Sequence, residues 1–362
     1  MPKINGYNCI SNKGGIGLKK EKISLAVYTF SHAAVDFACA YLIIGITRDL
    51  ADAALLMLVY NFFAFAVQMP LGIVFDAANR NAVGAALGCI VTASAYFFGG
   101  IPMAAAVICG IGNAAFHLGG GIDVLNYSQK SSYSGVFVSS GAIGLFFGAM
   151  CARSGTDIDL AVISVLALLG VVIVLARKKL FGTMISENAE FSVPEKSVTV
   201  CGAAALLFLV VLLRSLTGFG MSFPWKVGTG ALIAAFCAAG GKCLGGFVSD
   251  RSGAGKASAV SLCAAALLFV FADNIICGAV GILLFNMTMP VTLRRAADLF
   301  SGCKGFSFGL MTFGLFCGFI PCFAEKSGFV LAYGMLAALS VVSAVLLVIA
   351  LRISDGGEKS RK

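Results

Sequence analysis

Twelve apolar stretches, separated by shorter polar segments, run along the chain. A helix needs about 20 mostly apolar residues to cross the roughly 30 Å hydrocarbon core of a bilayer. The apolar runs are continuous and do not alternate with polar residues, so they predict membrane-spanning helices rather than strands of a barrel. The predicted spans are 23–46, 53–75, 82–99, 101–120, 134–152, 159–177, 199–220, 227–248, 257–272, 274–292, 305–324 and 328–352.

Composition supports this pattern. Apolar residues make up 59% of the 362 residues and charged residues 12%, and the mean hydropathy is +0.96. Soluble domains carry about twice this share of charge and could not cover so much apolar surface. The composition therefore excludes a cytosolic enzyme, a disordered chain and a nucleic-acid-binding domain. It predicts an all-α integral membrane protein that has the lipid bilayer as a partner.

The basic residues are distributed unevenly between the loops. With the N-terminus inside, 20 of the 26 Lys and Arg fall in inner segments, four fall in outer loops, and Arg214 and Lys242 lie within spans. Cytoplasmic loops carry the excess of Lys and Arg in membrane proteins. The distribution predicts a multi-pass protein of the cell membrane with both termini in the cytoplasm. It also accounts for the net charge of +9 without a nucleic-acid partner.

The chain divides into two halves that repeat. Residues 178–198 form the longest polar segment between spans, which predicts an N-terminal segment 1–22, a six-helix bundle 23–177, a linker 178–198, a second six-helix bundle 199–352 and a tail 353–362. The residues that recur in the same order are Gly72, Asp76, Gly144 and Gly148 in the first half and Gly246, Asp250, Gly314 and Gly318 in the second. Parallel six-span repeats place a binding cavity between the halves, near the bilayer midplane.

The glycine–aspartate segments resemble the signature G-x-L-x-D-R-x-G-R-K of the major facilitator superfamily. The residues that match it are Gly72, Asp76 and Arg80 in the first copy and Gly246, Asp250, Arg251 and Gly253 in the second. The first copy has Ala77 for an arginine and Asn79 for a glycine, and asparagine is a favoured substitute where φ is positive. The resemblance implies a twelve-helix carrier in which these loops brace the halves at the cytoplasmic side and hold the outward-facing state.

Three further segments are similar to the branch of this superfamily that contains fosmidomycin-resistance transporters. They are 31–36 in span one, 110–117 in span four and 213–215 in span seven, the last leading to Phe223 and Pro224. This resemblance implies efflux of a small molecule by proton antiport.

Ionisable residues inside the predicted spans are the candidates for the chemistry. They are costly in a bilayer and usually face the interior of the bundle. Asp36 lies near the midplane of span one, and His32 projects from the same helix face because it lies four residues earlier. We predict that Asp36 binds and releases a proton and that His32 tunes it. The alternative is that Asp36 hydrogen-bonds a neighbouring helix or pairs with a basic residue.

Four other residues are predicted to bind substrate: Arg214, Asn113, His117 and Lys242. Arg214 could bind an anionic group, pair with Asp36, or extend to the outer interface. Lys242 lies among glycines that permit a close helix crossing, so its role could instead be structural, with a carboxylate or a helix C-terminus beside it. His117 could line the cavity, belong to the inner gate, or only pack.

The chain has two histidines, both in apolar helices, and it lacks the P-loop motif G-x-x-x-x-G-K-S/T. Its 13 cysteines form no C-x-x-C pair. We therefore expect no enzyme activity, cofactor, metal or ATP. The prediction is a monomeric secondary transporter that moves a small-molecule substrate with protons by alternating access. Efflux by antiport is the first expectation, uptake by symport the second, and a non-transporting sensor or scaffold the third.

Overall fold

A computed structural model describes residues 16–48, 50–179, 198–324 and 329–361. Within these ranges the chain is helical throughout, apart from short turns. The helices are α1 (Ile16–Thr47), α2 (Ala53–Asn61), α3 (Gln68–Ala78), α4 (Asn81–Ser94), α5 (Pro102–Tyr127), α6 (Ser131–Ser154), α7 (Asp159–Lys179), α8 (Val198–Gly220), α9 (Thr229–Ser252), α10 (Ala254–Phe269), α11 (Ile275–Asn286), α12 (Met289–Leu299), α13 (Lys304–Phe319), α14 (Pro321–Ala324) and α15 (Tyr333–Arg361).

Eleven helical stretches of the described chain are long and apolar enough to cross a membrane. They match eleven of the twelve predicted spans. The predicted span 257–272 corresponds to α10, which has 16 residues and is therefore about 24 Å long at 1.5 Å per residue. Large apolar side chains such as Phe97 and Leu160, each more than three-quarters exposed, cover the outside of the bundle. This surface suits lipid rather than water.

Local sequence explains several helix ends. Pro102 occupies the first turn of α5, where its missing N–H costs nothing. The side chain of Asn274 accepts hydrogen bonds from the N–H groups of Ile276 and Cys277 and so caps α11. Gly155 ends α6 with φ of 72°, in the left-handed region that glycine favours.

Two predicted spans are interrupted in the structure. A π-helical turn, Phe62–Ala66, joins α2 to α3 within the second span. The tenth span breaks between α11 and α12 and continues to Leu299 instead of ending at 292. Arg294, which we assigned to a loop, is consequently in a helix and only 3% exposed.

The fourth span is also longer than predicted. The predicted span ends at 120, within the glycines 119–121, yet α5 continues to Tyr127. These glycines are buried against neighbouring helices, and Gly119 approaches the backbone of Asn81 and Ala85 too closely for any side chain. Tertiary packing therefore overrides the low helix propensity of glycine here.

Buried apolar side chains form two clusters. One is built from α1 to α7 and the other from α8 to α15. Leu293, Ala297 and Phe308 of the second half join the first cluster, so the halves are in direct contact. The domain boundaries remain predictions, and the N-terminal residues 1–15 and most of the linker 178–198 lie outside the described residues. The tail 353–362 continues α15 as helix as far as Arg361.

The repeated G-x-x-x-G motifs have equivalent positions in the two halves. Gly144 and Gly148 bring α6 onto the backbone of α1, while Gly318 brings α13 onto the backbone of α8. In each half the fifth span therefore packs on the first through small residues, as is common in membrane helices. The sequence repeat thus corresponds to a structural repeat.

Candidate functional site

A cavity of about 320 Å³ lies between the two halves. His32, Asp36 and His117 line it from the first half, and Arg214 and Lys242 line it from the second. Five of the six residues predicted to bind protons or substrate therefore share one cavity. The sixth, Asn113, lies behind Asp36. Volumes of about 300–1,000 Å³ are typical of sites for small molecules.

The first-half wall is a connected polar network. His32 Nε2 lies 3.2 Å from Asp36 Oδ2, as the four-residue spacing on α1 predicts. Asn113 Nδ2 donates to Asp36 Oδ1 at 3.1 Å, and His117 Nε2 lies 3.6 Å from the same oxygen. All four side chains are at most 8% exposed. Asp36 thus has partners on both α1 and α5.

The two imidazole rings are fixed from both sides. His32 Nδ1 donates to the carbonyl of Phe137 at 2.8 Å, and His117 Nδ1 donates to the carbonyl of Asn113 at 2.9 Å. Their Nε2 atoms lie 2.8 Å from each other. The sequence predicted His32 beside Asp36, but it assigned His117 to substrate, and it could not show that the two rings meet.

Gly141 on α6 completes this wall and was missed by the sequence analysis. A Cβ at this position would lie 2.3 Å from Asp36 Oδ2 and 2.6 Å from His32 Nε2. Only glycine allows α6 to approach the network this closely. Gly141 is not part of the G-x-x-x-G motif on α6, so the sequence did not indicate that it approaches Asp36 and His32.

The second-half wall carries two positive charges. Arg214 is 8% exposed and donates to Thr292 Oγ1 at 3.1 Å. Neither Arg214 nor Lys242 has a carboxylate within ion-pairing distance among the described residues. Of the two partners expected for Lys242, the carboxylate is therefore not within ion-pairing distance, and Arg214 neither pairs with Asp36 nor extends to the outer interface. Both cations face the cavity.

One end of the bundle is closed by hydrogen bonds between the halves. Asp76 accepts from the N–H groups of Gly305 and Phe306 at 2.7 and 2.8 Å, and Asp250 accepts from those of Ser131 and Ser132 at 2.8 and 3.0 Å. Each carboxylate thus caps the N-terminus of a helix in the opposite half, where a negative charge is stabilised. The two copies of the motif make equivalent contacts.

The other motif residues have smaller roles at this end. Gly72 packs against the backbone of Gly305, and Gly246 packs against that of Ser131. Asn79 has φ of 49°, as its substitution for glycine predicted, and Gly253 has φ of 87°. Arg80 and Arg251 are exposed, and neither side chain has a hydrogen bond or ion pair to any part of the chain that the structure describes.

Basic residues from outside the motif strengthen the closed end. Arg294 donates to the carbonyls of Leu125 and Ser128 at 2.9 and 3.0 Å, and it pairs with Asp298 on its own helix. Lys304 donates to Asn126 Oδ1 at 2.6 Å. Sequence analysis missed these contacts because it placed the ends of α5 and α12 too early.

Comparisons with known proteins identify the fold. No family model and no curated protein sequence matches the chain. Solved structures match along 92–94% of it and 99% of their own length. They include the E. coli fucose:proton symporter FucP (TM-score 0.66, 12% identity) and the human organic anion transporter MFSD10 (0.62, 14%). A third is a bacterial homologue of the iron transporter ferroportin in its outward-facing state (0.63, 13%).

The class that these matches define is the major facilitator fold, and this chain has that fold. The predicted fold class is confirmed, and the structures it resembles are transporters rather than enzymes. The more specific resemblance to the fosmidomycin-resistance branch remains a prediction, because identities this low establish the fold alone.

Proposed function

We propose that the protein is a secondary transporter that moves a small molecule by alternating access. The observation that carries this proposal is the cavity at the seam of the two halves, lined by ionisable groups from both and closed at one end by Asp76 and Asp250. Rocking of the halves about such a site exposes it to each side of the membrane in turn. With both termini in the cytoplasm, the closed end is cytoplasmic and this state faces outward.

The substrate is a small anion with an apolar body. Arg214 and Lys242 supply two positive charges without carboxylate partners, and a guanidinium binds carboxylate or phosphate groups through paired hydrogen bonds. Phe65, Phe308 and Phe319 line the same cavity and suit an aromatic or aliphatic portion. Buried cations of this kind are costly unless a ligand neutralises them.

The transport is coupled to protons through Asp36 and His32. Their network lies on the wall opposite the two cations, and among the described residues its hydrogen bonds and ion pairs are all within the first half. This arrangement leaves the second half free to bind the substrate.

The charges of the cavity favour symport. An unprotonated Asp36 network repels an anion bound at Arg214, and protonation removes that repulsion. Two like charges about 8–10 Å apart at an effective dielectric constant of about 20 repel by roughly 2 kcal/mol, or about 30-fold in affinity. Proton and anion thus bind better together than apart, which is the requirement for symport.

Efflux by antiport is the second candidate, and the resemblance to the fosmidomycin-resistance branch favours it. Antiport requires the proton and the substrate to compete. A cationic substrate that pairs with Asp36 would satisfy this requirement, but Arg214 and Lys242 would repel it.

The test is transport by the purified protein in lipid vesicles with an imposed pH gradient. The panel contains labelled aromatic sulfonates, phosphate esters and matched quaternary amines, which stay charged and do not cross a bilayer unaided. We expect anions to accumulate on the alkaline side and amines to be ignored. Accumulation of amines would support antiport, and no transport of any compound above empty vesicles would favour a sensor or scaffold. Monomeric state and cell-membrane location are further proposals, tested by sizing in detergent and by fractionation.

A further inference from the structure

The hydrogen bonds of the two histidines leave one proton to be accounted for. Each Nδ1 faces a backbone carbonyl oxygen, of Phe137 for His32 and of Asn113 for His117. A carbonyl oxygen can only accept, so both Nδ1 atoms carry hydrogen. A neutral imidazole has a single N–H. If both rings were neutral, both Nε2 atoms would be bare acceptors.

The two Nε2 atoms are nevertheless 2.8 Å apart. Two bare acceptors at this separation repel each other, whereas an N–H···N hydrogen bond has this length. His32 Nε2 also faces Asp36 Oδ2 at 3.2 Å, which is again an acceptor facing an acceptor. If a neutral Asp36 carboxyl donated its hydrogen to His32 Nε2, no hydrogen would lie between the two Nε2 atoms. A hydrogen on His32 Nε2 forms the N–H···N bond to His117, and the positive charge that it gives the pair makes the contact with the Asp36 carboxylate attractive.

We propose that His32 and His117 together bind a single proton between their Nε2 atoms, with the Asp36 carboxylate as its counter-ion. This rests on the proposed proton coupling and makes it more specific. His117 becomes a proton-binding residue instead of a substrate ligand, and the proton site is the pair. The network is then neutral when loaded and carries one negative charge when empty.

A transition metal is the rival occupant, since the three side chains offer ligand atoms within 4.8 Å of one another. Metal–nitrogen bonds of about 2.0–2.1 Å place the ligand atoms of a tetrahedral site about 3.3 Å apart. The nitrogen atoms here are closer than that and at hydrogen-bond distance. Arg214 and Lys242 across the cavity also oppose a divalent cation more strongly than a proton.

The charged groups around the histidine pair determine how its proton occupancy changes with pH. On α1 the Asp36 carboxylate stabilises the proton, while Arg214 on α8 and Lys242 on α9 oppose it. The thiols of Cys39 and Cys109 and the phenol of Tyr60, which lie near Asp36 on α1, α5 and α2, are ordinarily neutral at pH 7. The residues of α6 in contact with the pair, Phe137 and Gly141, do not titrate. Raising the pH therefore empties the site in one step.

The two histidines of the pair are the only ones in the chain. Full-length protein labelled with ¹⁵N-histidine, and purified with a tag that contains no histidine, therefore gives an NMR spectrum of this pair alone. We expect both Nδ1 atoms to be protonated throughout, and a scalar coupling between the two Nε2 atoms that disappears in a single one-proton titration as the pH rises. Two independent titrations, or bare Nε2 atoms at every pH at which the protein is folded, would overturn the proposal.

Two variants and a metal analysis complete the test. His117→Gln and His32→Gln should each abolish the coupling between the two Nε2 atoms, and the remaining histidine should titrate alone and at a lower pH than the pair. Asn61→Ala should retain the coupling, because among the described residues the Asn61 amide donates only to the carbonyl of Met57 on its own helix. One equivalent of zinc in the purified protein, together with two unprotonated Nε2 atoms, would assign the site to a metal instead. None of these measurements needs a substrate, so their failure is distinct from a failure of the vesicle assay.

Discussion

The two walls of the cavity differ in how their charges are satisfied. In the first half, Asp36 has His32, His117 and Asn113 around it, and the hydrogen bonds and ion pairs that the described residues make to it are all internal to that half. In the second half, Arg214 has a hydroxyl partner and Lys242 has no ion-pair partner in the described chain. The halves share an architecture, and in our proposal they have different roles: a satisfied network suits a small resident ion such as a proton, and unsatisfied charges suit an incoming ligand.

The largest effect is expected at Asp36. Asp36→Asn removes the counter-ion while keeping the shape, so proton-driven accumulation of the transported anion should fall to the level of empty vesicles. One coupled proton supports about tenfold accumulation of the anion per pH unit, and Asp36→Asn should lose this accumulation. Exchange of labelled for unlabelled anion, which needs no net proton movement, should persist. Asp52→Asn, in an exposed loop, is the matched control, and full accumulation by Asp36→Asn would refute the proposed difference in roles.

Arg214 should give the next largest effect, on the opposite wall. Arg214→Gln removes a charged donor worth about 1.5–3 kcal/mol, so the KM for the anion should rise about 10- to 100-fold. Arg214→Lys should recover part of the affinity because the charge remains. The pH at which the histidine pair loses its proton should rise at the same time, because one of the two positive charges that oppose the proton is gone. An unchanged KM in Arg214→Gln would remove the second wall from substrate binding.

Gly141 offers a smaller effect with a close control. Gly141→Ala forces a methyl group against Asp36 and His32, which should cost about 1–3 kcal/mol of stability and weaken coupling. Gly240→Ala, on α9, places its methyl group in open space and should leave both unchanged. Thermal unfolding and accumulation measured together check both variants. Equal stability and equal accumulation in the two alanine variants would show that α6 does not pack tightly on Asp36 and His32.

The smallest effects are expected at the closed end. Asp76→Asn and Asp250→Asn each remove a charge from a helix N-terminus, which is worth about 0.3–2 kcal/mol. The end should open more often, so hydrogen exchange should quicken at Gly305 and Phe306 in the first variant and at Ser131 and Ser132 in the second. Arg80→Gln should change little, because its side chain is exposed. Identical exchange in all three variants would argue against a gate.

The fold was largely predictable from sequence because hydropathy alone defines membrane spans. The positions of Asp36, His32 and the motif aspartates were also predictable, since helix spacing and the two motif copies place them. The meeting of His117 with His32 was not, because it depends on how α1, α5 and α6 pack. Arg294 and Lys304 were misjudged for a related reason. The fourth and tenth spans continue past the ends that hydropathy predicts. The fourth contains buried glycines and the tenth contains a break at Met287 and Thr288.

Proton uptake on anion binding tests the central claim most directly. The purified protein is held in weak buffer with a pH indicator, at a pH where the histidine pair is mostly empty, and receives an anion that the vesicles accumulate. The account predicts uptake of up to one proton per protein. It predicts no uptake in Asp36→Asn or His117→Gln. Release of protons by the wild type would contradict the account, because proton and anion would then compete for the cavity.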